Sequence, residues 1–335
     1  MATIKELAQA SGVSRGTVDR VLHDRPGVAP EIRKRVLEAA MELGYEPNLA
    51  GRMLAVRKNP HLIGVMLPSD GSPFFAEVVR GISSATEKYS DLGFSVCFEA
   101  VRGFNVQEHL DAIGRLVERG VDALVVMTMD DERILSYLSS MDIPIAAVNS
   151  DISLEKRLFY VGPDYRKKGA MNAGLLSLVS NGRKRNILIV RGTSCVKGHS
   201  DIVNGFVEGL DRRGMDYTIT GELACQDDDA VAYHMVAEHL ARHPETDTIF
   251  ISTAGVAGVM RAVGDKDMLV FVSDDVDPIR SLLKSGRVAW TICQHPYEQG
   301  YQCARKIQQY FIDNKRPESQ IIGYEVKIRE SVEEE

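Results

Sequence analysis

"IKELAQASGVSRGTVDRVLH", residues 4–23, contains two short amphipathic segments separated by one breaker, and its reading decides what the N-terminal end of the chain is. Thr3 followed by Glu6 is a capping-box pair, with Ile4, Leu7 and Ala8 supplying an apolar face, so a short helix starts at Thr3. Gly12 can take the positive φ of a tight turn, Val13 buries, and Ser14 can N-cap the next helix. A second helix after only about four residues is helix-turn-helix spacing. At about 100° per residue, Val18, Val21 and Leu22 fall on one side of that helix, and Arg15, Gly16, Asp19, Arg20 and His23 on the other. A third helix begins at Pro30 and runs Ile32, Val36, Ala40 and Leu43 down one face until Gly44 ends it. Three short helices around one small core follow. Periodicity alone fits a small helical cap with a solvated charged face equally well.

The whole chain has 335 residues, 44% of them apolar, which predicts two domains or slightly more, each with a sizeable core. No basic stretch precedes an apolar run at the start, and no window approaches the ~18 uncharged apolar residues that cross a bilayer, so a cytoplasmic protein with no membrane partner is expected. Cysteines at 97, 195, 225, 293 and 303 are odd in number and lack C-x-x-C spacing. That pattern suits reduced thiols and predicts no metal site. Net charge is −7, but residues 1–60 hold ten Lys or Arg against seven Asp or Glu, while the rest holds 30 against 40. A small cationic head on an acidic body is the implied arrangement.

The literal string is more specific than its periodicity. "TIKELAQASGVSRGTVDRVLHDRPGVAPEIRKRVLEAAMELGYEPNLAGRML", residues 3–54, closely resembles without gaps the headpiece of the lactose-repressor (LacI/GalR) family of bacterial transcription regulators. In that family the helix starting near Ser14 enters the major groove. The resemblance implies that Arg15 and Gly16 read bases and that Arg20 also faces DNA; an arginine fork can bind guanine O6 and N7 in a bidentate manner. Thr3, Ser14, Thr17 and Asn48 become candidates for phosphate or sugar contacts, which position the protein without specifying sequence. Lys5, Arg33 and Lys34 read as solvated surface charge. Asp19, where relatives commonly carry serine, is expected either to hold the Arg15 guanidinium at i+4 or to accept from a cytosine N4 amine.

"PNLAGRML", residues 47–54, corresponds to the family's hinge segment. A helix of about seven residues is too short to be stable alone, so it should fold only when two copies meet on DNA, with Leu54 wedged into the central base step. Gly51 departs from the usual alanine, which should cost about 1 kcal/mol of helix propensity.

From Leu62 onward short apolar runs alternate with amphipathic helical stretches. The expected strands are "LIGVMLP", "FSVCFEA", "ALVVM", "PIAAVN", "RNILIVRG", "TIFIST", "MLVFVSDD" and "VAWTICQ"; expected helices include 75–90, 106–119 and 230–242. The pattern is βαβ, and nearly continuous Val, Ile and Leu indicate parallel sheets covered on both faces. About 270 residues is long for one such sheet and comfortable for two lobes with a cleft between them.

Open parallel sheets bind ligands beyond the carboxyl ends of their strands. The polar and aromatic residues there are Asp70 with Phe74 and Phe75, Asn149 with Asp151, Asp164, Arg191, Thr253, Asp274 and Gln294. Rings combined with carboxylates and amides suit a small polyhydroxylated ligand, whose C–H faces stack while its hydroxyls take oriented hydrogen bonds. Loop capping is the other reading of each polar residue, and Phe74 and Phe75 can equally be core.

The body resembles the periplasmic sugar-binding-protein fold that this repressor family carries, particularly its ribose-binding-protein-like branch. The motifs are "SPFF" at 72–75, "SDD" at 273–275 and "TICQHP" at 291–296. The resemblance implies three crossings between lobes, near Asn149–Tyr160, near Gln294 and near Ile321–Tyr324. One departure stands in "GHSDIVNGF", 198–206: where sugar-binding relatives usually carry an arginine, this chain has Ile202. Either Arg191 or His199 replaces that donor, or the ligand is less polar than a plain aldose.

The fold class expected is therefore α/β: a three-helix headpiece (1–46), a hinge helix and linker (47–60), and a two-lobed effector-binding and dimerisation domain (61–335). The lobes divide as 61–158 with 295–321, and 159–293 with 323–335. The function expected is a homodimeric repressor on palindromic double-stranded operator DNA, released by a small sugar or sugar derivative; a nucleobase co-repressor is the other ligand class. A transport solute-binding protein predicts a secretion signal and no helix-turn-helix, the reverse of this chain. No G-x-x-x-x-G-K-[ST], H-E-x-x-H or G-x-S-x-G occurs, so no catalytic residues, enzyme activity or cofactor are expected.

Overall fold

The computed structural model describes residues 3–22, 25–45, 56–252 and 254–332. His23, Asn48, Gly51, Leu54 and Thr253, with most of the expected hinge, lie outside the described residues. The N-terminal helices are α1 (Ile4–Ser11), α2 (Arg15–Leu22) and α3 (Pro30–Glu42). The α1 cap is reciprocal: the Glu6 amide donates to the Thr3 hydroxyl at 3.3 Å, and the Thr3 amide donates to the Glu6 carboxylate at 2.7 Å. Gly12 stops α1 at φ +65°, a conformation costly for a residue with a Cβ. The Thr17 amide then donates to Ser14 Oγ at 3.1 Å, which caps α2.

Leu7, Ala8, Val18, Val21, Val36 and Ala39 form the headpiece core. Two sequence expectations need correction. Leu43 is 42% exposed, because α3 ends at Glu42 and its buried stripe runs through Ala39 instead. Leu22 is only half-buried, since α2 closes on the core mainly through Val18 and Val21.

The body holds two six-stranded sheets. The first contains β1 (His61–Leu67), β2 (Phe94–Ala100), β3 (Ala123–Val126), β4 (Ile145–Val148), β5 (Tyr160–Gly162) and β11 (Gln320–Ile321), in the order β11-β5-β4-β3-β1-β2. The second contains β6 (Arg185–Arg191), β7 (Tyr217–Ala224), β8 (Thr248–Ile251), β9 (Leu269–Ser273), β10 (Trp290–Cys293) and β12 (Glu325–Lys327), in the order β12-β10-β9-β8-β6-β7. All pairings are parallel except β10 with β12. The two orders are the same doubly wound pattern, so each lobe has its switch point beside its own first strand.

The eight expected strands are all present. β5, β7, β11 and β12 escaped the sequence reading, three of them because two or three residues carry no period, and β7 because its half-buried alternation is that of a sheet edge. The first crossing is also moved. β5 pairs with β4 and β11, so the chain leaves the first lobe after Gly162 and not within Asn149–Tyr160. The other crossings run from β10 to the helix after it and from β11 to β12.

Glycines set the helix packing in both lobes. In the first, α4 (Pro73–Lys88) lies on α12 (Pro296–Asp313), and a Cβ at Gly81 or Gly300 would collide with the carbonyl of Tyr297 or Val78 respectively. In the second, α7 (Tyr165–Ser180) lies on α8 (Lys197–Arg212), where Gly169 faces the Ile202 carbonyl and Gly205 faces that of Arg166. Each crossing brings backbone against backbone, which a side chain on either helix would prevent. The remaining body helices used below are α5 (Val106–Glu118), α6 (Glu132–Ser139), α9 (Asp229–Arg242), α10 (Val256–Val263) and α11 (Ile279–Lys284).

The lobes touch directly. The Asp130 amide donates to the Cys195 carbonyl at 2.9 Å, the Gly198 amide donates to Ser150 Oγ at 3.1 Å, and Val196 is fully buried in the first lobe's core cluster. Phe104 meets His199 edge-on with centroids 5.6 Å apart.

The C-terminal strand is fastened by charge. Asp275, just past β9, accepts from Arg280 Nε of α11 at 2.8 Å and from Lys327 Nζ of β12. Burial pushes its carboxyl up, but these two cations more than offset that and hold it below the ordinary carboxylate value. A depressed folded-state pKa stabilises above the unfolded value and is lost as pH falls through the folded one. Asp275→Asn should therefore lower stability by about 1–3 kcal/mol at neutral pH, with the gap to the parent closing as acid titrates the carboxylate. Urea unfolding at pH 7 and at stepwise lower pH checks this, and a gap independent of pH would refute it.

Candidate nucleic-acid interface and effector cleft

The outer face of α2 presents Arg15, Gly16 and Arg20 fully to solvent, with Thr17 and Asp19 half-buried beside them. Gly16 has no positive φ, and a Cβ there would meet only Ser14 Oγ at 3.7 Å. The headpiece's own packing therefore does not require a glycine at this position, which leaves its smallness useful only to something approaching from outside. Ser14 and Thr17 share a hydroxyl hydrogen bond of 2.9 Å, and Thr3 is engaged with Glu6. These three hydroxyls serve helix capping first.

Asp19 corrects the sequence reading. An ion-pair partner of Asp19 is Arg25, whose Nη1 donates to Asp19 Oδ2 at 3.2 Å; of the two expected partners, Arg15 and a cytosine amine, the first is not the one seen here. The turn after α2 brings Arg25 back beside the helix, a return that i+4 spacing does not anticipate.

At the strand ends of the body the structure brings three expected residues into one network. Asn149, at φ +65° after β4, is buried; its Nδ2 donates to Gln299 Oε1 at 3.1 Å, and its Oδ1 accepts from the Tyr165 hydroxyl at 3.1 Å. The Tyr160 hydroxyl donates to the Asn149 carbonyl at 2.6 Å. Gln299 Nε2 donates to the Gln294 carbonyl at 2.6 Å, and Gln294 Nε2 donates to Asp274 Oδ1 at 2.6 Å. Lys168 Nζ stands 3.5 Å from the same Asp274 oxygen. The network thus runs from the first lobe, at Asn149, to the second, at Asp274 and Lys168.

Strained backbone accompanies it. Asn149, Asp274 and His295 have φ of +65°, +77° and +51°, each just after a strand that ends at this junction. Non-glycine residues hold such conformations only where the surroundings over-determine them, commonly at binding sites. Burial pushes the Tyr160 and Tyr165 hydroxyls far up, so both stay protonated donors. Burial pushes the Lys168 amine down, against the opposing pull of Asp274.

The other expected ligand residues are placed differently. Asp151 is half-buried and paired with Arg157 at 2.8 Å; burial raises its pKa despite that arginine. Asp164 is exposed and N-caps α7, accepting from the Lys167 amide at 3.0 Å. Arg191 is committed to Glu222 of the neighbouring strand β7. His199 accepts or donates at Nδ1 with the Thr193 carbonyl at 3.1 Å and lies 4.0 Å from Asp227; burial lowers its pKa. Phe74 and Phe75 meet edge to face at 5.2 Å, with Phe75 inside the first lobe's core and Phe74 packed on it. Asp70 is exposed. Ile202 is fully buried against Phe206 and the strands, with no polar atom for a ligand.

Tyr165, Lys168, Ser150 and Gln299 were missed by the sequence reading. A lysine in "DYRKKG" gives no sign of which of its two neighbours is buried, and the answer depends on how α7 meets α8. A groove of about 660 Å³ between α5 and α6, lined by Leu110, Arg115, Arg133 and Tyr137 among others, shares no residue with these strand ends. All five cysteines are free. Among the described residues no three His, Cys, Asp or Glu are grouped to hold a metal ion, and no helix is long and apolar enough to cross a membrane.

A helix-turn-helix headpiece on a two-lobed, doubly wound body defines the class, and comparison with known proteins identifies the family. Residues 3–48 match the model of the bacterial regulatory proteins of the lacI family, and residues 63–315 match the periplasmic binding protein domain. The chain therefore joins a lacI-family DNA-binding region to a body that belongs to the periplasmic binding protein domain family. It is 28% identical over 275 residues to catabolite control protein A of Priestia megaterium, covering 80% of this chain and 79% of that one. It is 29% identical over 255 residues to the ribose operon repressor of Bacillus subtilis (strain 168), covering 75% and 73%. Among solved structures, GanP, a glucose-galactose binding protein from Geobacillus stearothermophilus, superposes with a TM-score of 0.75 over 82% of this chain and 99% of that one, at 18% identity. That last likeness is one of fold.

Proposed function

We propose that the protein is a repressor that binds palindromic operator DNA as a homodimer and is released by a small sugar or sugar derivative held between the lobes. The observation that carries this reading is the outward Arg15–Gly16–Arg20 face of a lacI-family headpiece joined to a body whose amide, carboxylate and tyrosine network spans both lobes. Arg15, Gly16 and Arg20 read the major groove, Asp19 tunes that reading, and Thr3, Ser14, Thr17 and Asn48 position the phosphates. The segment 47–60 acts as the hinge, with Leu54 as its minor-groove wedge. Asn149, Asp274 and Gln294 form the polar centre of the effector site, with Phe74, Phe75, Asp70, Asp151, Asp164, Arg191, His199 and Thr253 around it. The protein performs no catalysis and works in the cytoplasm. The ribose operon repressor among its relatives supports a sugar effector.

A dimer is needed because one headpiece reads one half-site. Effector binding alters the angle between lobes, and with it whether two hinge segments fold side by side on DNA. The test is gel retardation of the full chain on DNA from around its own gene. A sequence-specific, salt-sensitive shift that D-ribose, D-galactose or D-glucose reverses is the expected outcome. Absence of any specific shift sinks the repressor reading; a specific shift indifferent to every sugar sinks only the effector assignment.

A further inference from the structure

Among the described residues, two polar atoms at the centre of the network have no well-formed hydrogen bond. Lys168 Nζ is one and Gln294 Oε1 is the other, on side chains that are 0% and 4% exposed. Both flank the same carboxylate oxygen: Asp274 Oδ1 takes the Gln294 amide at 2.6 Å and has Lys168 Nζ at 3.5 Å. An ionised carboxylate only accepts, so the Gln294 amide must turn its nitrogen to Asp274 and its oxygen away. The orphan Oε1 therefore follows from the pairing itself. A buried ammonium and a buried amide oxygen each lose several times more by lacking a partner than a formed bond returns, so neither is kept for stability alone.

We propose that Lys168 and Gln294 together grip one hydroxyl of the effector, Lys168 donating to its oxygen and Gln294 Oε1 accepting its proton. The ammonium is donor-only and the amide oxygen acceptor-only. A hydroxyl answers both at once; a carboxylate satisfies only the lysine, and an ammonium only the glutamine. Charge agrees, because Asp274 balances Lys168, Glu222 balances Arg191 and Arg157 balances Asp151. With Lys168 already balanced by Asp274, the hydroxyl it grips belongs to a neutral polyol and not to a sugar acid. This assignment rests on the sugar-sensor reading above and adds to it a specificity-determining residue, Lys168, that the sequence did not disclose.

The test is thermal-shift titration of the full chain, parent and Lys168→Met, with D-ribose, D-galactose, myo-inositol and D-gluconate. At least one neutral polyol should raise the parent's melting temperature, and Lys168→Met should need about 10- to 100-fold more of it for the same shift. Lys168→Gln, which keeps a neutral donor of similar reach, should fall between the two and serves if the methionine variant does not fold. Equal response in parent and variants overturns the role of Lys168 and leaves sugar sensing intact. A response to D-gluconate alone overturns the neutral-hydroxyl assignment. No response of the parent to any probe overturns the sugar reading and this inference with it.

Discussion

Arg15→Ala should weaken operator binding by about 1–3 kcal/mol at each half-site and relax the preference at the base pair that Arg15 reads. Its exposure on the outer face of α2 means that truncation leaves the Leu7, Val18 and Val36 core untouched, so headpiece stability should be unchanged. A lysine on the same domain should behave differently. Lys34 is an exposed α3 residue 3.8 Å from Glu38, and Lys34→Ala should change affinity little and equally for all sequences. Selection from a randomised half-site, run at two salt concentrations, separates these outcomes: loss of base preference marks a reading residue, and a change in salt slope marks a phosphate contact. If Arg15→Ala kept both the preference and the affinity, α2 would not be the reading helix.

The same selection decides Asp19. Its pair with Arg25 joins side chains that are 40% and 57% exposed, so it adds at most about 1 kcal/mol to stability. In the proposed reading its role is in base preference. Asp19→Ser should shift the preferred half-site bases; uniform tightening on every sequence would mean that the acid merely repels phosphate.

Gly169→Ala should be strongly damaging for so small a substitution. The added methyl would strike the Ile202 carbonyl and the Phe206 amide, both backbone groups that no rotamer change can move. α7 and α8 would have to separate, costing about 1–3 kcal/mol or more. The effector response should fall with stability, because α7 carries Tyr165 and Lys168 into the network. Gly114→Ala is the control. A Cβ there meets only the Tyr137 hydroxyl at 3.8 Å, so the same chemical change should stabilise α5 by up to about 1 kcal/mol. Chemical unfolding of the two variants should move in opposite directions; a neutral Gly169→Ala would show that the helix crossing is not tight.

Local rules were readable from the residues because they act over three or four positions. The Thr3–Glu6 capping box, the Gly12 turn, the Ser14 cap and the Pro30 start each appear in the structure as the sequence required. Seven of the eight apolar runs became central strands for a similar reason: each is largely buried on both faces, and burial of that kind leaves an unbroken signature, while the eighth, β2, is a partly buried edge. Asn149, Asp274 and Gln294 could be singled out because they follow strand ends, and the structure joins them in one network.

What the tertiary structure alone decided are the matters of partnership. Arg25 reaches Asp19 by a return of the chain, Arg191 goes to Glu222 because β7 lies beside β6, and β5 stays in the first sheet because β4 and β11 hold it there. Lys168 is buried because glycines let α7 press against α8, and its neighbour Lys167 is exposed for the same reason. Sequence spacing fixes which face of an element a residue shares. The charge or amide it meets there is set by elements distant in the chain, and no local period records them.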